Sequence, residues 1–184
     1  MKNWTTQIDQ ITEQVLDSFD SLNTEELNWK PTADTWSIGQ NLDHLMVINK
    51  TYFPILKDVR SGNHKAPFLA KISFVVSFLG KTILKASGAD RKKKIKTFPI
   101  WEPSESHIAP DILERFSKHQ TELKLEIERS HASIENGAII SSPANKNIVY
   151  TLETAFDIIV AHEQRHIEQS KETLELLRSA MITR

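Results

Sequence analysis

Cysteine is absent from the 184 residues. That excludes a structural disulfide, a thiolate nucleophile and any zinc held by sulfur, so a metal here needs nitrogen and oxygen ligands. Glycine and proline are sparse, five and seven, which excludes collagen and a low-complexity disordered chain. Hydrophobic runs fall short of the roughly 20 residues that cross a bilayer; the longest, Phe68 to Leu79, is broken by Lys71, Ser73 and Ser77. Neither charge sign dominates, with 23 Lys+Arg against 24 Asp+Glu and 39% hydrophobic residues, a composition that suits one globular domain over 1–184. The N-terminal stretch carries acids and amides where a secretory signal needs an uninterrupted apolar segment, so a cytoplasmic location is expected. With sulfur missing, the seven histidines are the residues to follow.

The apolar residues recur with a helical period. Trp4, Ile8, Ile11, Val15, Phe19 and Leu22 make one stripe on a first helix of about five turns. Ser37 with Gln40 three residues on is a capping-box pattern that announces a second helix to about Arg60. Its apolar face holds Ile38, Leu42, Leu45, Phe53 and Leu56, and Pro54 is expected to kink its last turns. A third helix starts at Pro110, carries Ile112, Phe116, Leu123 and Ile127, and ends near His131. The last opens around Thr151 and runs for about seven turns through Leu152, Ala155, Phe156, Ile159, Ile167, Leu174 and Leu177. Only Ala138 to Ile140 and Ile148 to Tyr150 read as short extended pieces. The predicted fold class is all-α, a four-helix bundle with an extra helix and a basic loop inserted between helices 2 and 3, about residues 65–103.

That insert is the chain's most uneven stretch in charge. From Lys65 to Lys96 there are nine basic residues and one acid, Asp90, a net of +8 on a chain of net charge −1. On a helical wheel Lys71, Lys81 and Lys85 share an arc of about 80°, with the apolar Phe, Leu, Ile and Val assigned to the other side. Such a basic amphipathic helix suits an anionic membrane surface, another subunit, or a cover over a hydrophobic pocket. The plainer reading is an inserted helix packed on the bundle with solvated lysines.

The sharpest local signal is His162-Glu163-Gln164-Arg165-His166, because residues four apart on a helix lie about 40° apart and reach one metal together. Both histidines fall on the inward arc with Leu152, Ile159 and Leu177, where imidazoles need partners. His44, on the shoulder of the second helix near Asn41 and Ile48, is the best third ligand, and a three-ligand site keeps a position open for water or substrate. The same five residues match the H-E-x-x-H pattern of zinc proteases. The metzincin extension needs Gly and His where this chain has Gln169 and Glu172, and no N-terminal sheet is in prospect to hold a peptide, so that reading is set aside.

Glu163 points inward, as an acceptor for a ligand imidazole, a general base, or equally a structural bond to another helix. Gln169 reads as a helix-surface amide, His119 as a core histidine, and Asp43 and Asp157 as solvated helix residues. Trp101, in the Pro-bounded segment Thr97 to Pro103, is a candidate pocket wall. His64, His107 and His131 receive no role.

The run from Trp36 to Leu45, Trp-Ser-Ile-Gly-Gln-Asn-Leu-Asp-His-Leu, followed by His162 to Gln169 with its H-x-x-x-H-x-x-Q pattern, resembles the DinB/YfiT-like superfamily, which includes the bacillithiol transferases. Trp29-Lys30-Pro31 fits as well, and the resemblance covers nearly the whole chain. It implies a four-helix bundle whose divalent metal, zinc or nickel, is held by residues matching His44, His162 and His166. It also implies a homodimer, and chemistry in which the metal lowers the pKa of a low-molecular-weight thiol or of water. The chain departs from its relatives at Ser142-Pro143, where His-Pro is frequent.

Two functions follow as expectations. The first is a metal-dependent enzyme, a thiol S-transferase or hydrolase acting on a small molecule, with a thiol and a hydrophobic electrophile as its partners and the apolar face of residues 68 to 84 as lid or channel. The second is a non-catalytic, metal-stabilised helical module that binds a membrane surface or an acidic partner through Lys65 to Lys96. Nucleic acid is not expected, since no recognised nucleic-acid motif accompanies the basic block.

Overall fold

The computed structural model describes residues 2–88 and 97–182. Four long helices carry the core: α1 (Trp4–Phe19), α3 (Ile38–Arg60), α5 (Ile112–Arg129) and α7 (Leu152–Ile182). Between them stand the short α2 (Thr24–Asn28) and α6 (His131–Glu135), the inserted helix α4 (Ser73–Ser87), two 3-10 turns (Phe68–Lys71 and Pro99–Trp101), and two strands, β1 (Ile139–Ser142) and β2 (Asn145–Thr151). α1 packs on α5 and α7, and α3 packs on the same two, so α1 and α3 occupy opposite corners of a four-helix bundle.

The stripes seen in the sequence are the buried faces. Trp4, Ile8, Ile11, Val15 and Phe19 of α1 are all buried, as are Ile112, Phe116, Leu123 and Ile127 of α5. Leu22 lies past the end of α1, which stops at Phe19. The Ser37 hydroxyl accepts from Gln40 N, and the Gln40 side chain accepts from Ser37 N, so the capping box at the start of α3 is complete. α3 continues through Pro54 as one helix. α5 begins at Ile112 rather than Pro110. A second capping box, Asn23 with Glu26, starts the unforeseen α2.

The two extended pieces pair as an antiparallel hairpin in the register Ile139↔Thr151, Ile140↔Tyr150 and Ser141↔Val149, with an irregularity at Ser142. Thr151 Oγ1 accepts from Thr154 N at 3.1 Å and caps α7. α4 lies across β2 and α7. Gly80 permits the close approach, because a Cβ there meets Thr154 Cγ2 at 3.1 Å and Tyr150 Cβ at 3.2 Å.

The insert departs from the wheel drawn from sequence in two ways. Lys71 belongs to the 3-10 turn, so only Lys81 and Lys85 share α4. Phe74 and Phe78 lie on their side of the helix, in solvent, while Val76 and Gly80 face the bundle. The spacing 74, 78, 81, 85 puts all four in one outward arc of about 60°. The phenylalanines of α4 therefore do not line an internal channel. The basic loop expected after α4, Asp90 to Lys96, lies outside the described residues. No described helix is long and apolar enough to cross a membrane.

Candidate metal centre

His44 stands two turns into α3; His162 and His166 are one turn apart in the middle of α7. The contact between α3 and α7 brings the three together, so that one ring nitrogen of each lies within 4.8 Å of the others. Nε2 of His162 and Nε2 of His166 are 3.1 Å apart. Two nitrogens each about 2.0–2.1 Å from one zinc ion at the tetrahedral angle sit about 3.3 Å apart. The pair is spaced for a shared cation.

The outer nitrogens of His166 and His44 fix which edge of those two rings is free. Asn41 donates Nδ2 to Ser37 O at 3.0 Å, which turns its Oδ1 toward α7. That oxygen contacts His166 Nδ1 at 2.8 Å. An amide oxygen only accepts, so the ring proton sits on Nδ1 and Nε2 is left as a lone pair. His44 is held alike, its Nδ1 donating to the Trp101 carbonyl. His44 Nε2 is buried without a partner among the described residues. A buried polar atom left unsatisfied costs about 1–3 kcal/mol, and a divalent cation satisfies it together with its neighbours. Trp36 closes one side, its ring 4.6 Å from that of His44 and stacked 5.9 Å from His166. His162 alone of the three keeps appreciable exposed surface.

Burial keeps all three imidazoles neutral. It pushes His44 down to about 4, against its bond to the Trp101 carbonyl and the nearby Asp43 charge, which raise it. Burial, then the neighbouring His44 and Arg165, takes His162 to about 3. His166 is lowered by burial and by the two other rings. Metals bind the neutral form, so no proton competes near pH 7.

The chain matches the DinB superfamily over residues 7–170. It belongs to that superfamily. This DinB chain is also 28% identical to the uncharacterized protein YuaE of Bacillus subtilis (strain 168) over 165 residues, 86% of this chain and 90% of the relative. No solved structure matches it.

The geometry explains the DinB-like run at the start of α3 residue by residue. Ser37 and Gln40 cap the helix, and Gln40 Nε2 also donates to Glu105 O at 3.3 Å. Gly39 leaves room for Ile108, whose side chain a Cβ would meet at 3.1 Å. Asn28 clamps Ile108 from α2, accepting from its N at 2.7 Å and donating to its O at 2.9 Å. Asp43 takes both the N and the Oγ of Ser104 at 2.7 Å. These bonds hold residues 101–108 against α3 and so place the Trp101 carbonyl on His44. Asp43 is thus not a solvated residue; it is 4% exposed and anchors the loop. Asn41 and Asp43 are the site residues that sequence reasoning missed, although their places one turn and one residue before His44 were a usable signal.

Asp157 departs from expectation too, accepting Trp4 Nε1 at 2.9 Å and Lys2 Nζ at 2.6 Å and pinning α1 to α7. Glu163 is fully buried, with Oε1 accepting from Asn49 Nδ2 at 2.7 Å and Oε2 from Gln120 Nε2 at 2.9 Å. Its carboxylate ties α7 to α3 and α5 directly behind the histidines. Burial raises it to about 7 against the two amide bonds that lower it. Gln169 is partly exposed one turn past His166. His119 is core, stacked on Phe53 with centroids 5.7 Å apart, and burial drops it to about 4. Trp101 contributes its carbonyl to His44, while its Nε1 donates to Thr51 Oγ1 at 3.3 Å. His64, His107 and His131 lie outside this cluster.

Proposed function

We propose that this DinB protein is a metal-dependent enzyme in which His44, His162 and His166 hold one Zn²⁺ or Ni²⁺. The supporting observation is the convergence of their ring nitrogens, with the outer nitrogens of His44 and His166 already committed to Trp101 and Asn41. Three imidazoles suit zinc and nickel, and three protein ligands match catalytic rather than closed structural sites. A bound divalent cation supplies the Lewis acidity that brings the pKa of a thiol or of water toward neutrality.

The leading reaction is transfer of a low-molecular-weight thiol to a hydrophobic electrophile. The S–H proton leaves to solvent, the sulfur lone pair forms the new C–S bond, and the leaving group departs with its electron pair. Hydrolysis of a small molecule by water is the second reaction of the same site. Asn41 and the Trp101 carbonyl keep the ring protons of His166 and His44 on the outer nitrogens, and Trp36 shields one side from solvent. Substrate is taken to approach on the side of His162, the one of the three histidines that is not fully buried. Glu163 is a positioning residue, its oxygens occupied by Asn49 and Gln120.

The test incubates the zinc- or nickel-loaded protein with bacillithiol and a fluorogenic alkyl halide and follows thioether formation, with an ester hydrolysed in parallel. Turnover that needs the metal and disappears in His44→Ala supports the reading. Rates unchanged by a chelator in both reactions contradict it.

A further inference from the structure

α4 turns an unusual face outward. Phe74 and Phe78 are 76% and 58% exposed, with rings stacked 6.1 Å apart, and Phe68 just before the helix is 73% exposed. Solvent-exposed phenylalanines grouped this closely are uncommon on a soluble surface and mark a place that something apolar covers. The same outward arc carries Lys81 and Lys85, one and two turns further along, and the preceding 3-10 turn carries Lys71. From Ser61 to Gly88 there are four lysines and no acid, on a chain of net charge −1. The other residues therefore sum to −5, and this positive stretch of chain carries the exposed aromatic stripe.

We infer that α4 and the 3-10 turn before it form a docking face for an anionic lipid surface, with Phe68, Phe74 and Phe78 entering the interface and Lys71, Lys81 and Lys85 meeting the headgroups. Charge decides between possible occupants. A second copy seated on this face brings its three lysines, Lys71, Lys81 and Lys85, against their own equivalents, whereas an anionic bilayer neutralises them. Lysine stems extend along apolar surface while their ammonium groups stay in water, so phenylalanine and lysine on one arc are compatible at a headgroup boundary. Attachment is peripheral, since no described helix is long and apolar enough to span a bilayer. The rear of α4 is secured for this role: Gly80 sits tight against Tyr150 and Thr154, and Arg165 Nη1 donates to Ala86 O at 3.2 Å. Because Arg165 precedes His166 by one residue, the docked face is mechanically joined to the helix that bears the histidines. The inference stands whether or not the metal centre is catalytic.

The test is sedimentation of the full chain with vesicles of phosphatidylcholine alone and with added phosphatidylglycerol, at low and at physiological salt. Binding to the anionic vesicles that weakens steeply with salt is the expected result. Lys81→Gln with Lys85→Gln should lower the partition coefficient by roughly 30-fold, since each lysine near such a surface contributes about fivefold. Phe74→Ser with Phe78→Ser should lower it by about tenfold or more, with helical circular dichroism retained because both side chains lie in solvent. Absence of binding at low salt overturns the inference, as does equal binding to neutral vesicles. Binding that needs the lysines but ignores the phenylalanines also overturns it, because charge alone then holds the vesicle and no apolar side chain enters the interface. A dimer that Phe74→Ser with Phe78→Ser dissolves, without vesicle binding, assigns the face to a second copy instead.

Discussion

Glu163→Gln separates the structural duty of the buried carboxyl from its charge. The carboxyl is completely buried and raised to about 7, chiefly by loss of hydration, against an ordinary 4.5. A group whose pKa is higher folded than unfolded contributes stability that is fully present below the unfolded value and is lost as pH rises through the folded one. The window therefore runs from about 4.5 to about 7, and at 1.36 kcal/mol per pKa unit the loss across it is about 3 kcal/mol. Glutamine does not titrate. It keeps one oxygen for an amide donor, and its own NH₂ can serve Asn49 or Gln120, whose amide oxygens Oδ1 and Oε1 are buried without partners among the described residues. The variant should sit within about 1 kcal/mol of wild type at pH 5 and gain on it by about 3 kcal/mol by pH 8. Urea unfolding at several pH values, with a chelator present, reads the difference directly. The histidines titrating in the same range contribute to both proteins and cancel. A stability difference that stays flat between pH 5 and 8 would refute the reasoning. Glu163→Leu is the complementary case: it leaves two buried amide donors without an acceptor and should cost about 2–6 kcal/mol at pH 5.

Other consequences follow from the same contacts. Asn41→Ala and Asp43→Ala leave the three histidines intact but free the His166 ring and the Trp101 loop; each should weaken zinc affinity by about 10–100-fold in a competition titration with a chromophoric chelator. His119, neutral in the core at about 4 against 6.5 unfolded, withdraws about 3 kcal/mol of stability as pH falls from about 6.5 to 4. His119→Leu should flatten that acid limb in denaturant titrations, and an unchanged limb would place the loss elsewhere. Gly80→Val pushes a branched side chain into Tyr150 and Thr154 and should destabilise by about 1–3 kcal/mol, detected as a lower thermal midpoint.

The helical period carried most of the fold into view, because α1, α3, α5 and α7 each bury one stripe and the stripe is written in the spacing. What the period does not encode was invisible. α2 and α6 are five residues each, too short for a stripe to show. The hairpin extends past the two apolar triplets because Asn145 to Asn147 belong to β2 without burying anything. A wheel centred on Lys71, Lys81 and Lys85 leaves out Phe74 and Phe78 within the same arc, and the burial of Val76 with the contact at Gly80 shows which side of α4 faces the bundle. At the site, the i, i+4 histidines and His44 were legible as residues able to share a metal. The supports were not, since the Asp43 bond to Ser104 spans 61 residues and the His166 bond to Asn41 spans 125. Long-range polar pairs leave no local pattern.

The central claim is that three histidines from two helices form one metal site. Elemental mass spectrometry of the purified protein, after incubation with Zn²⁺ or Ni²⁺ and gel filtration, tests it most directly when wild type is run beside His44→Ala and His162→Ala. About one metal ion per chain is expected in wild type, and loss of that ion in both variants. Wild type that retains no metal, or a His44→Ala variant that retains as much as wild type, would contradict it.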